Sequence, residues 1–169
     1  MALSLVMTTA LFAQGQSTTE DLSQEWERAK AYTQEYLEAM PADKFDYAPT
    51  EGVRTFAQQM LHLTDANYGF AAAATGTPSP IGRGESEKTG DTSKENITKL
   101  VMDGYDFVLE QLQGLNDGAA SEKIKLFDRF EISRAQAFQK AFEHQTHHRG
   151  QTTMYLRMAG VTPPQEKLF

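Results

Sequence analysis

The segment FEHQTHHRGQ, residues 142–151, decides how the rest of the chain is interpreted. It holds three of the four histidines, contains no proline and has the apolar spacing of a helix. His144 and His148 are four residues apart, and side chains at positions i and i+4 lie on the same helix face. Two imidazoles with this spacing can reach one metal ion.

The remaining histidine, His62, lies far upstream in a separate segment with helical apolar spacing. If the two helices pack together, three imidazole nitrogens can converge on one ion. Three protein ligands with one open position are typical of a catalytic metal site. The alternative is that these histidines are solvated, or hydrogen-bonded within a helical core. The spacing alone leaves both interpretations open.

Length and composition limit the chemistry that this chain can perform. At 169 residues it has the size of one domain. The absence of cysteine excludes disulfides, thiolate metal sites and a cysteine nucleophile, so histidine nitrogen or carboxylate oxygen must bind any metal. The net charge of −7, with scattered basic residues, disfavours nucleic acid as a partner. No apolar run approaches the roughly 20 residues of a membrane span.

Residues 1–16 form an apolar arm without a charged side chain. The arm resembles the apolar region of a secretory signal peptide, with Ala13 as a candidate cleavage residue, but the usual basic start is missing. Alternatively, the arm packs on the bundle or on a neighbouring chain, which would make a homodimer. The localisation therefore stays open between the cytoplasm and, if residues 1–13 are a signal peptide, the periplasm.

Four segments begin with a pattern that is typical of a helix N-terminus. A Ser or Thr is followed three residues later by Glu or Gln, and their side chains can satisfy each other's free backbone N–H groups. The four pairs are Ser17 with Glu20, Thr55 with Gln58, Thr92 with Glu95, and Ser133 with Gln136. They predict four helices within one domain, residues 17–169, and Gly160 is the expected left-handed residue after the last helix.

Two connections carry further expectations. Residues 75–91 are long and rich in Gly, Pro and Ser, so they can cross the length of a bundle and join two parallel helices, or cover a site as a lid. Residues 119–132 alternate like a strand without an evident partner, which predicts an extended cover over one end of the bundle.

Small residues near the histidines suggest space or close packing. Ala66 and Gly69, one and two turns after His62, leave room for an ion and a ligand, or for a close helix contact. Gly150 lies inside the last predicted helix, where it costs roughly 1 kcal/mol relative to alanine. Close approach of another backbone or of a ligand would explain this glycine.

The C-terminal motifs resemble the DinB/YfiT-like superfamily. Residues 144–151 match its signature H-x-x-x-H-R-G-Q, and residues 155–164 match the following Y-L-R-x-x-G-x-x-P-P tail. Residues 49–55 and 61–63 resemble the start of its second helix and its first histidine. The resemblance covers residues 22–164. It implies an all-α four-helix bundle with up-down-down-up topology and a long crossover between the second and third helices.

The resemblance also implies a metal triad of His62, His144 and His148, with His147 as the alternative to His148. The implied cofactor is a divalent ion, zinc or nickel, and the implied partner is a small-molecule substrate. Relatives include enzymes that use a low-molecular-weight thiol, which here must be external because the chain has no cysteine. The implied activity is therefore a thiol S-transferase or a hydrolase, with no catalytic residue assigned. The alternative is a non-catalytic metal-binding or stress-response bundle.

Residues around the triad have predicted supporting roles. Asp65 and Glu143 are candidate hydrogen-bond acceptors that would orient the imidazoles, and the alternative for each is a solvated surface carboxylate. Gln151 and Tyr155 continue the histidine face of the last helix and would contact substrate or the core. Arg149 is expected to form a salt bridge.

Overall fold

Four long helices form the body of the molecule in the computed structural model, which describes residues 18–169. They are α1 (Thr19–Ala39), α2 (Phe56–Thr75), α3 (Lys94–Gln113) and α5 (Arg134–Met158). The short helix α4 (Asp117–Ser121) and two strands, β1 (Lys123–Leu126) and β2 (Phe130–Ser133), lie between α3 and α5. The apolar arm at residues 1–16, and the homodimer inferred from it, lie outside the described residues.

Serine and threonine caps start all four long helices, two of them at the predicted residues. Thr55 with Gln58 starts α2, and Ser133 with Gln136 starts α5, each as a reciprocal capping box. The other two starts are displaced by one residue from the prediction. At each of these starts a Ser or Thr stands next to the predicted cap residue. A sequence pattern does not show which of the adjacent hydroxyl groups accepts from the free N–H groups of the helix.

The two displaced caps have identifiable partners. Thr18, not Ser17, caps α1, because its hydroxyl accepts from the Asp21 N–H while Asp21 Oδ2 accepts from the Thr18 N–H. Ser93, not Thr92, caps α3, and its side chain accepts a hydrogen bond from the Asn96 N–H. The Thr92 hydroxyl instead donates to Asp46, which ties the start of α3 to the α1–α2 connection.

Side-chain contacts establish the predicted topology. The Tyr68 ring of α2 lies 5.2 Å from the Phe107 ring of α3. Closer to the C-terminal ends of both helices, the Thr75 hydroxyl donates to Gln111 at 3.1 Å. Because the residue numbers of the contacting pairs increase along both helices, α2 and α3 are parallel. Similar contacts show that α1 is antiparallel to α3 and α5 is antiparallel to α2. The bundle is therefore up-down-down-up, and residues 76–93 are the crossover that its parallel middle pair requires.

Aromatic residues fill the centre of the bundle. The Trp26 ring of α1 is fully buried and packs edge-on against Tyr105 of α3 at 5.8 Å and Phe142 of α5 at 5.5 Å. The buried Tyr105 hydroxyl bonds to Thr33 at 2.7 Å and donates to Gln145 Oε1 at 2.8 Å. Because buried aromatic rings contribute large contact areas, this group joins three of the four helices. None of the helices within residues 18–169 has the length and apolarity needed to cross a bilayer.

A β-hairpin replaces the extended cover that was expected for residues 119–132. Strands β1 and β2 pair antiparallel, with Lys123 opposite Ser133 and Leu126 opposite Phe130. Phe127 and Asp128 have φ angles of 51° and 57°, and the Arg129 N–H donates to the Leu126 carbonyl at 3.1 Å. Two central residues with positive φ match the twist of hairpin strands. Neither of these residues is the usual glycine, so the turn gave no sequence signal.

Two helical glycines differ from each other in their surroundings. At Gly104, an added Cβ would lie 2.9 Å from Thr64 Cγ2, which shows that α2 and α3 pack closely there. At Gly150, no atom of residues 18–169 lies within 4 Å of an added Cβ, and the residue is exposed. Of the two explanations offered for this glycine, close approach of another backbone is therefore not observed among the described residues.

Candidate metal centre

Three imidazole rings meet where α2 crosses α5. The ring centroid of His62 lies 5.3 Å from that of His144 and 4.6 Å from that of His148, and the last two lie 4.4 Å apart. One nitrogen from each ring lies within 4.8 Å of the others, and all three residues are partly buried. The antiparallel packing of α2 on α5 thus brings together the residues that the spacing had singled out.

Glu87 of the crossover holds His62. Its carboxylate contacts His62 Nδ1, so this nitrogen carries the proton and Nε2 keeps its lone pair. Glu87 is placed by Asp65 of α2, whose two carboxylate oxygens accept from the backbone N–H groups of Ser86 and Glu87, each at 3.0 Å. Asp65 was expected to accept a hydrogen bond from an imidazole directly. It instead positions His62 indirectly, by holding the part of the crossover that carries Glu87. The crossover is part of the site.

Gln59 of α2 holds His148. The His148 Nδ1–H donates to Gln59 Oε1 at 2.9 Å, which again leaves Nε2 as the nitrogen with a free lone pair. Gln59 in turn donates to Gln151 Oε1 at 2.8 Å and to the Tyr155 hydroxyl at 3.3 Å. Gln151 and Tyr155 thus hold the Gln59 side chain, which in turn fixes the His148 ring. Nothing in the sequence spacing identified Gln59 as part of this group.

His144 has an incomplete set of hydrogen bonds. Its Nδ1 is buried and has no partner among residues 18–169, while its ring lies 6.2 Å from the ring of Phe70. A buried polar atom without a partner costs about 1–3 kcal/mol. Of the three clustered rings, His144 is therefore the one whose buried nitrogen lacks a hydrogen-bond partner within the described chain.

Burial favours the neutral form of the two clustered imidazoles of α5, His144 and His148. Burial, together with the neighbouring His144 and His62 rings, lowers the pKa of His148 to about 4. Burial, followed by the nearby His62, also lowers the pKa of His144. Neutral imidazole is the form that binds metal ions.

Three other predicted residues lie outside the cluster. His147 is exposed, and its Nε2 lies 2.7 Å from the Gln151 side-chain nitrogen. Glu143 pairs with Lys140 on the surface and contacts no imidazole within the described part of the chain. Its expected orienting role is therefore wrong.

Arg149 is also placed differently from the prediction. It is 6% exposed, and no carboxylate in the described chain lies within salt-bridge distance of it. Its guanidinium lies 4.5 Å from the Tyr32 ring and donates to Gln145 Oε1 at 3.2 Å. The expected salt bridge is replaced by a cation–π contact that joins α5 to α1.

Comparison with known proteins identifies the family. The sequence model of the DinB family matches residues 11–168. The chain belongs to the DinB family. A comparison with curated protein sequences finds no match.

Solved structures with the same fold come from DinB-like proteins of bacilli. A DinB-like protein of Bacillus cereus ATCC 10987 superposes with a TM-score of 0.77 at 23% identity, over 89% of this chain and 98% of that chain. The DinB-like protein YjoA of Bacillus subtilis gives 0.66 at 20% identity, over 88% and 96%. YfiT of Bacillus subtilis gives 0.66 at 17% identity, over 90% and 94%. It is described as "a probable metal-dependent hydrolase with an unusual four-helix bundle topology".

The histidine cluster of this DinB-family protein fits a divalent cation. Its donor set consists of three imidazoles, and the Nδ1 atoms of His62 and His148 each contact a side-chain oxygen. Such outer hydrogen bonds are typical of metal-binding histidines, because they hold the ring and its tautomer. The unpartnered Nδ1 of His144 is a further feature that a bound group would relieve.

Proposed function

We propose that this DinB-family protein is a divalent-metal-dependent hydrolase of small molecules, with His62, His144 and His148 as the metal ligands. The observation that carries the proposal is the convergence of three imidazole nitrogens to within 4.8 Å, on rings held by Glu87 and Gln59. An exposed or merely structural cluster would not need two rings fixed in the same tautomer.

The donor set indicates the class of ion. Three imidazole nitrogens suit zinc and nickel better than magnesium or calcium, which prefer oxygen ligands. When bound by three protein ligands, such an ion supplies Lewis-acid polarisation of a substrate carbonyl and makes water a better nucleophile at neutral pH. The protein's own residues hold the ligands in place, and burial lowers the pKa values of His144 and His148.

Hydrolysis is preferred to thiol transfer for two reasons. The description of YfiT supports hydrolysis in a protein with the same fold. A thiol S-transferase would also need an external thiol as a second substrate, because the chain has no cysteine. Water is available to any metal site that is partly open to solvent.

A reloading experiment tests the activity. Tag-free protein is stripped with a chelator, reloaded with zinc or nickel, and assayed against aryl esters and amides with and without low-molecular-weight thiols. We expect hydrolysis that depends on the added ion, needs no thiol, and is lost in His148→Ala but kept in His147→Ala. Turnover only with a thiol would replace the hydrolase by a transferase. Metal binding without any turnover would favour the non-catalytic bundle.

A further inference from the structure

A cavity of about 490 Å³ lies beside the histidine cluster. It is bounded by α2, by the crossover and by the turn of the β-hairpin, and His62 and Glu87 form part of its wall. Its volume lies within the range of about 300–1,000 Å³ that is typical of small-molecule sites. The cavity therefore connects the proposed metal centre to a space of substrate size.

Apolar groups from three separate elements line this cavity. Phe70 of α2 packs edge-on against Phe127 of the hairpin turn at 5.0 Å, and Ile81 of the crossover lies on the same wall. Gly69 also lines the cavity, and no atom of the described residues lies within 4 Å of where its Cβ would be. The small residue thus provides open space, which decides between the two interpretations of Gly69 made from the sequence.

Phe127 occupies an unusual position for an aromatic residue. Its φ angle of 51° lies in the left-handed region, and its side chain remains 49% exposed at the cavity wall. A bulky residue is rare at positive φ, where Gly, Asn or Asp would be less strained. Strained residues tend to occur at functional sites. A ligand that covers the Phe127 ring would explain why an aromatic side chain is kept in this turn.

Arg83 supplies a free positive charge to the same cavity. No hydrogen bond or ion pair joins its guanidinium to another residue in the 18–169 range. The two carboxylates that line the cavity are already engaged, since Asp65 accepts from the Ser86 and Glu87 N–H groups and Glu87 contacts His62. Arg83 is thus the charged group of the wall that is available to a ligand, and guanidinium groups favour carboxylates and similar anions.

From these features we infer that the substrate is a small aromatic anion, with its ring packed against the Phe70–Phe127 pair and its anionic group paired with Arg83. The inference rests on the proposed function only for the position of the scissile bond near the histidines. Binding of the ring and of the anionic group does not require the metal ion, so it can be measured separately.

Paired probes of equal shape test the inference on the metal-free full chain. Binding of 1-naphthylacetate and of the uncharged 1-naphthylacetamide is followed by NMR chemical-shift titration. We expect the carboxylate to bind roughly three to ten times more tightly than the amide, and Arg83→Gln to abolish that difference. Arg129→Gln is the matched control, because Arg129 lies over Phe130 and does not line the cavity.

A second variant tests the cavity itself. Gly69→Leu places a side chain in the open space, so we expect binding of both probes to be lost. Because the substitution also removes a helical glycine, the midpoint temperature of thermal unfolding should not fall. The inference is overturned if neither probe binds the wild type, if the carboxylate shows no advantage, if Arg83→Gln keeps that advantage, or if Gly69→Leu binds normally. Zinc uptake, measured on separate aliquots of each variant that are reloaded with the ion, distinguishes these outcomes from a failure of the proposed metal centre.

Discussion

Removal of Glu87 should weaken metal binding without removing a ligand. In Glu87→Ala, the His62 Nδ1–H loses its carboxylate acceptor, and the ring is free to rotate or to change tautomer. A hydrogen bond to a charged group contributes about 1.5–3 kcal/mol. The His62 and Glu87 side chains are 28% and 35% exposed, so solvent screening places the effect at the lower end of that range. We therefore expect affinity for zinc to fall about tenfold.

The affinity can be measured by competition with a chromophoric chelator. Glu51→Ala is the matched control, because it removes the same charge from an exposed residue that forms no ion pair within the described chain. Asp65→Asn should also weaken zinc binding, since Asp65 holds the turn that carries Glu87 through two hydrogen bonds of 3.0 Å. If Glu87→Ala binds zinc as tightly as the wild type, the crossover does not support the site and the reasoning is wrong.

Three further substitutions test the packing by chemical unfolding. Gly150→Ala should raise the free energy of unfolding by about 1 kcal/mol, because the site is a helix interior and no atom of the described chain lies within 4 Å of the new Cβ; no gain would mean that the glycine is needed there. Gly104→Ala should lower it by about 1–3 kcal/mol, because the buried, stiff Thr64 side chain would lie 2.9 Å from the new Cβ; a gain would contradict the close α2–α3 contact. Phe127→Asn should change it by less than about 1 kcal/mol, because relief of a left-handed backbone, roughly 1–2 kcal/mol, offsets the lost ring contact of about 0.5–1.5 kcal/mol. A loss above about 3 kcal/mol would show that Phe127 is mainly structural.

The features that depend on local periodicity were predictable from the sequence. The capping pairs and apolar repeats gave the four long helices, and the i, i+4 spacing placed His144 and His148 on one face. The meeting of His62 with that face needed the tertiary packing of α2 on α5. The family resemblance supplied this information, together with the up-down-down-up order that the structure confirms.

The residues that support the site had no comparable signal. Glu87 is one of several acidic residues in a loop rich in Gly and Ser, and only the folded position of Asp65 brings it to His62. Gln59 gave no signal either, because its burial and its contact with His148 appear only in the folded chain. The turn at Phe127 contains no glycine or asparagine, so its positive φ angle could not be expected.

Metal stoichiometry tests the central claim most directly. Tag-free wild-type protein and single alanine variants at each of the four histidines are equilibrated with zinc, desalted, and analysed by elemental mass spectrometry. We expect about one ion per chain in the wild type and in His147→Ala, and little in the variants at the three clustered histidines, whose nitrogens lie within 4.8 Å of one another. Full metal content in both His62→Ala and His148→Ala, with correctly folded protein, would contradict the account.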